Sequence, residues 1–438
     1  MQDEATAIGP ETARSPAFVV AVPPCEAARP RGPGTPEPPG SPSTIRAVPN
    51  SADPVPSSAE PSPTSPTAPS HRPVDTVMLF LDLVYVFAVA GISGLLRADG
   101  ALGLIHGVIV LAVIYWLWCI TSIQASMRDV TTNRNRLVVL ALALVTLAVA
   151  ITVPQAFGAH ALAFAVACWA ARGVLLVGMV GTSWRVFTPD LLGVVATGPL
   201  LVAGALLGGN AQLGLWAAAA LLELVSPSLQ RRRMRNLRYD AEHVVERFGL
   251  LVIVALGETV VGMGEPLSEA ETIDWQQAVA VLAAFVMVGG LWWSYFHHSS
   301  GLVLRLLETA QTPFDVVREV LVYGHLVLIG GIIAIAAGFH SVLEEPEAPM
   351  GWKMAVLLCL GVAAFLAVFL HVRARVFSRL YRSRLAGMLA AALLAPLAAT
   401  TLPGWTALVA AAGITLAVSA WETLSPTSAG LPALEDFR

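Results

Sequence analysis

The sequence predicts an all-α, polytopic transmembrane helical bundle of about twelve spans. Three observations carry this. The 438-residue chain is 56% hydrophobic and only 13% charged, whereas soluble globular proteins carry about 25% charged residues. From Val74 onward, apolar runs follow one another at lengths suited to a hydrocarbon core about 30 Å thick. Arginines gather in alternate loops, as the positive-inside rule expects of a multi-pass protein.

Residues 1–73 come first and read differently. They hold 18 of the 30 prolines, mixed with Ser, Thr, Ala and Gly. Such a segment buries too little apolar surface to offset its ordering entropy, so a disordered cytoplasmic tail is expected. The transmembrane domain then covers 74–425, and 426–438 forms a short C-terminal tail. Spans are expected at 76–96, 101–123, 137–157, 160–182, 190–208, 211–227, 248–264, 276–297, 317–339, 351–372, 385–401 and 404–422. Arginines follow the second, fourth, sixth, eighth and tenth spans, a single Arg185 after the fourth and a cluster including Arg384 after the tenth; only Arg97 breaks the alternation. Both termini are therefore expected in the cytoplasm. The run Arg231–Arg238 is expected to touch anionic lipid headgroups. Trp116, Trp118, Trp184, Trp292, Trp293 and Trp421, and at the other side Trp275, Trp352 and Trp405, read as interfacial anchors.

The chain also reads as two parallel six-span halves, about 74–227 and 243–422. Asp82 in the first span and Glu258 in the seventh are single acids at the head of each half, and spans two and eight both end in paired aromatics. Repeats of this kind build many transporters.

Polar residues inside spans are costly and mark candidate sites. Glu258 lies ten residues past Phe248, about 15 Å along a helix, near mid-bilayer. Asp82, Arg172 and His325 complete the candidates for binding an ion or a small solute. Arg172 needs an acidic partner, for which Asp82 and Glu258 are the candidates; Glu223 reads as reaching the interface. His325 could relay protons with a carboxylate or tie two helices. Glu246 and Arg247 read as the cytoplasmic boundary of span seven. Gly257, Gly262 and Gly264 either let helices approach or break the span beside Glu258. Cys25, Cys119, Cys168 and Cys359 have neither metal-ligand nor disulfide spacing. No phosphate loop, dinucleotide fingerprint, paired-His metal motif or nucleic-acid surface is present in the sequence. No cofactor, metal or enzymatic activity is expected.

The stretches LFLDLVYVFAV (79–89), VPQAFG (153–158), HVVERFGLLVIVALGETVVGMG (243–264), LWWSYF (291–296) and YGHLVLIGGIIAIAAG (323–338) resemble the bacterial low temperature requirement A family. Asp82, Glu246, Arg247, Glu258, Tyr323 and His325 match its pattern. Met78 and His297 stand where the family has carboxylates. The resemblance implies an inner-membrane protein linked to growth in the cold and no defined chemistry. Two functions stay open: a secondary transporter or ion-coupled carrier, and a membrane sensor or scaffold that moves nothing. A lipid-acting enzyme ranks below both.

Overall fold

A computed structural model describes residues 76–98, 100–126, 132–178, 191–234, 240–268, 272–297, 299–377 and 382–424. Both expected tails, Trp184 and the Arg235–Arg238 part of the basic run lie outside these residues. Within the described residues all regular secondary structure is helical, with no strand.

The helices are α1 (Thr76–Arg97), α2 (Gly100–Ser126), α3 (Asn133–Thr152), α4 (Ala161–Gly178), α5 (Gly193–Leu207), α6 (Gly209–Leu229) and α7 (Ala241–Ser268). They continue as α8 (Trp275–Phe296), α9 (Ser300–Thr309), α10 (Pro313–Glu344), α11 (Gly351–Phe377), α12 (Arg382–Thr400) and α13 (Gly404–Leu424). Among the described residues ten helices are long and apolar enough to cross a bilayer, and α5 is a shorter apolar helix. The seventh expected span lies in α7, a helix of 28 residues that carries Glu258 near its middle.

Local chemistry sets several starts. Thr132 caps α3 by accepting from the Asn135 amide at 3.4 Å. Asp274 and Gln277 form a reciprocal capping box at α8. Pro313 opens α10 at a position where its missing N–H costs nothing.

Two stretches depart from α geometry. Gly193–Thr197 in α5 and Val317–Gly324 in α10 are π-helical. Wider turns turn some carbonyls toward neighbours. The Trp169 indole donates to Val194 O at 2.9 Å, and Tyr115 OH donates to Val322 O at 2.6 Å.

Packing follows one plan twice. In the first half α1 meets α2 and α3, α3 meets α4, α4 meets α5, α5 meets α6, and α6 returns to α2. In the second half α7 meets α8 and α10, α10 meets α11, α11 meets α12, α12 meets α13, and α13 returns to α8. Each set closes a ring of six helices. The rings join where α1 and α2 pack on α7 and α10. Gly331 of α10 and Gly361 of α11 cross so closely that a Cβ on either would lie 2.9 or 2.6 Å from the other's carbonyl oxygen.

Candidate functional site

Three Arg–carboxylate pairs are buried among the described residues. They lie at the end of the bundle where α1, α7 and α12 begin and where α2, α4, α6, α8 and α13 finish.

The first pair joins the two rings. Asp82 lies six residues into α1 and Arg247 six residues into α7, each about 9 Å along its helix. Arg247 grips Asp82 in a fork, Nη1 to Oδ2 at 2.6 Å and Nη2 to Oδ1 at 2.9 Å. Trp118 and Ser122, one turn apart on α2, complete the site. The Trp118 indole donates to Asp82 Oδ1 at 2.9 Å, and Arg247 Nη2 donates to Ser122 Oγ at 3.3 Å. Arg247 is fully buried. The expectation of a boundary residue fails for Arg247, since charge this close to an acid is drawn inward with it; Glu246, one residue earlier, is exposed. Trp118 is likewise buried rather than interfacial, whereas Trp275, Trp292, Trp293, Trp352 and Trp421 are exposed.

The second pair lies within the first ring. Arg172 Nη2 of α4 donates to Glu223 Oε1 of α6 at 2.7 Å. Thr197, the last residue of the π turn in α5, donates its single proton to Glu223 Oε1 or to Gly193 O, both at 2.9 Å. Gly193 leaves room for Arg172, whose Cδ would lie 3.0 Å from an added Cβ. Arg172 is therefore paired neither with Asp82 nor with Glu258. Glu223 is buried and does not reach the interface.

The third pair lies within the second ring. Arg384 of α12 grips Glu422 of α13 through Nε at 2.6 Å and Nη2 at 2.7 Å. Ser383 also donates to Glu422, and Arg384 Nη2 donates to Ser294 Oγ of α8, both at 3.3 Å. The Arg384 guanidinium lies 4.9 Å from the Phe369 ring. Arg384 is fully buried rather than part of an exposed loop cluster.

The second and third pairs share a plan. In each ring the last helix supplies the carboxylate, and the helix before it supplies a hydroxyl to that carboxylate. The arginine differs in origin: α4 in the first ring, α12 in the second.

His325 sits beside this layer. Its Nδ1 lies 3.2 Å from Val320 O, a carbonyl of the π turn, and its Nε2 lies 2.9 Å from Tyr295 OH of α8. The carbonyl can only accept, so Nδ1 carries the proton of that bond, and the tyrosine hydroxyl holds the other ring nitrogen. Phe248 packs on its face edge-on, 5.0 Å between centroids. The pairing of α8 with α10 thus brings His325 to a tyrosine rather than to a carboxylate.

Glu258 is buried and lies eleven residues past Arg247, about 16 Å farther along α7. Asp82, Arg172, Glu258 and His325 do not converge on one point: Asp82 and Arg172 have separate partners, and Glu258 is deeper. Helix α7 runs unbroken past Glu258. Nothing lies within 4 Å of where a Cβ would stand on Gly257 or Gly264, so these glycines serve neither close packing nor a break.

Outside the spans, Arg231 forms a fork with Asp315, 2.6 Å on both arms. Hydrogen bonding to that carboxylate raises the Arg231 pKa above its ordinary value.

The chain is similar to an uncharacterized protein of Rhizobium meliloti (strain 1021), 28% identical over 319 residues, covering 69% of this chain and 77% of that one. No solved structure matches. The family model described as bacterial low temperature requirement A protein matches residues 74–420, well over half of the chain, and the protein belongs to that family.

Proposed function

We propose that the protein is a carrier of two parallel six-helix halves, with Asp82–Arg247 as the latch between them. One observation carries this: each half has its own internal ion pair, Arg172–Glu223 or Arg384–Glu422, and among the described residues a single buried Arg–carboxylate pair crosses between halves. The repeated helix pairing supports descent of both halves from one six-span unit, a common transporter plan. Ten apolar helices, the shorter apolar α5, and α7 over the seventh expected span support a count of twelve. The alternation of Arg-rich loops supports an inner-membrane protein with both termini cytoplasmic, and with Arg231 and its neighbours on anionic headgroups.

A buried ion pair suits a latch. Its attraction is large in the interior, yet much of it is offset by the cost of removing both ions from water. When that end opens, water rehydrates Asp82 and Arg247 and the two states come close in free energy. In this reading Asp82 and Arg172 hold helices. Glu258, farther along α7, is the carboxylate that takes the coupling ion or proton. No enzymatic step is assigned.

The test uses a cysteine-free protein in liposomes with Gly262→Cys, one turn beyond Glu258. Asp82→Asn is expected to raise labelling of that cysteine by an impermeant maleimide added at the Arg-rich side. With a pH-sensitive dye inside, Glu258→Gln is expected to abolish any proton flux the parent supports. The reading fails if Asp82→Asn lowers thermal stability while labelling stays flat.

A static sensor or scaffold is the second reading. It is favoured by the full use of both Asp82 oxygens and both Glu422 oxygens in hydrogen bonds, as in interhelical ties. Flat labelling would select it.

A further inference from the structure

An open apolar cleft of about 800 Å³ lies between the two rings, walled by α1 and α2 on one side and α10 and α11 on the other. That volume falls in the range of small-ligand sites, roughly 300–1,000 Å³. Its floor is glycine-rich, with Gly107, Gly330 and Gly361 among the lining residues. Its rim carries Val108 and Leu360, about 60% exposed. The cleft reaches the end opposite the ion-pair layer, where Gly100, Trp352 and Lys353 line it.

That end is poor in positive charge. Along the helix ends and loops there, the sequence has only Arg97 and Lys353, the latter the single lysine of the chain. The fold brings the two together. Lys353 lines the cleft, and its ammonium donates to the Arg97 and Ala98 carbonyls at the end of α1. Trp352 beside it is exposed and also lines the cleft. Two acids of the preceding loop have partners of their own: Glu344 pairs with His340 at 3.1 Å, and Glu347 accepts from Gln276.

We infer that the cleft holds an acyl chain of a membrane phospholipid whose anionic headgroup sits at Lys353 and Arg97. The walls are spanning helices and the lining is apolar, so hydrocarbon is the solvent that fills it. An aromatic residue and a basic residue at the mouth are the pair expected at headgroup level. The two cations select an anionic headgroup over a zwitterionic one. The inference is independent of the carrier reading, since a scaffold could hold the same lipid.

The test is native mass spectrometry and thermal unfolding of the full-length protein in detergent, with phosphatidylglycerol or phosphatidylcholine added. Phosphatidylglycerol is expected to be retained preferentially. Lys353→Gln should cut that preference about fivefold, the effect of one basic residue near an anionic surface. Lys353→Arg should restore it, and an unchanged lipid-free unfolding midpoint in Lys353→Gln separates headgroup binding from loss of the contact with α1. Val108→Trp or Leu360→Trp, both at exposed positions, should abolish retention of either lipid while lipid-free unfolding stays unchanged. Equal retention of the two lipids, an unaltered preference in Lys353→Gln, or retention surviving both tryptophan variants would each overturn the inference. So would a dimer whose contact blocks maleimide labelling of a Leu360→Cys variant, which would make a second copy the occupant.

Discussion

Asp82, Arg172, Glu223, Arg247, Arg384 and Glu422 tie one end of the bundle through charge, whereas the opposite end is joined by close backbone approach and loop hydrogen bonds. There Met350 N donates to Ala398 O at 3.1 Å and Gly404 N to Ala348 O at 2.9 Å. Toward the middle, Gly331 and Gly361 let α10 and α11 touch backbone to backbone. The contrast shows two ways of gaining specificity where the hydrophobic effect cannot discriminate, because lipid is as apolar as the helices. Charge punishes the loss of a partner. Close packing punishes the gain of an atom.

The largest expected effect comes from stripping one charge from a fully buried pair. Arg384→Met should destabilise the protein by about 3–5 kcal/mol by leaving Glu422 without its cation. The double variant Arg384→Met/Glu422→Leu should recover most of that loss. Both are read by equilibrium unfolding in detergent; a double variant as unstable as the single would end the account of this end as charge-tied. Gly361→Ala probes the other mode. Its added Cβ meets the Gly331 carbonyl, so a loss of about 1–3 kcal/mol is expected, and a neutral result would show that the crossing yields easily.

Smaller effects sharpen the boundary of the polar layer. Tyr295→Phe removes the hydrogen bond to His325 and should cost about 0.6–1.7 kcal/mol, from the average to the largest value for interhelical hydrogen bonds in a membrane protein. A loss as large as that of Arg384→Met would place His325 inside the charged network rather than beside it. Arg231→Gln should leave the unfolding midpoint unchanged, because its fork with Asp315 is exposed and water screens it. A clear shift there would mean that charge alone, without burial, stabilises this end.

Asp82 and Arg172 were legible as site candidates because each interrupts an apolar run. Their partners were not. Arg247 and Arg384 stand beside loops rich in charge, and Glu223 and Glu422 stand near helix ends, where linear sequence cannot separate a buried residue from an interfacial one. The hydroxyls of Ser122, Thr197 and Ser294 were not legible either, since serine and threonine are common in membrane helices. Trp118 reads as an anchor in the sequence because its position near a helix end is where anchors occur. The two π turns have no composition of their own, and the carbonyls they offer to His325 and Tyr115 could not be foreseen.

Amino-acid order by itself determined the helical class, the succession of spans, the family and the cost of each intramembrane charge, because these depend on apolar run length and on local transfer energies. Tertiary structure alone decided which charges meet. It paired Asp82 with Arg247 across the halves, sent Arg172 to Glu223, kept Glu258 apart, and opened a cleft over Lys353. The reason is physical: spans of similar hydropathy pack almost interchangeably by composition, and only the register and azimuth of one helix against the next bring particular polar atoms within hydrogen-bonding distance.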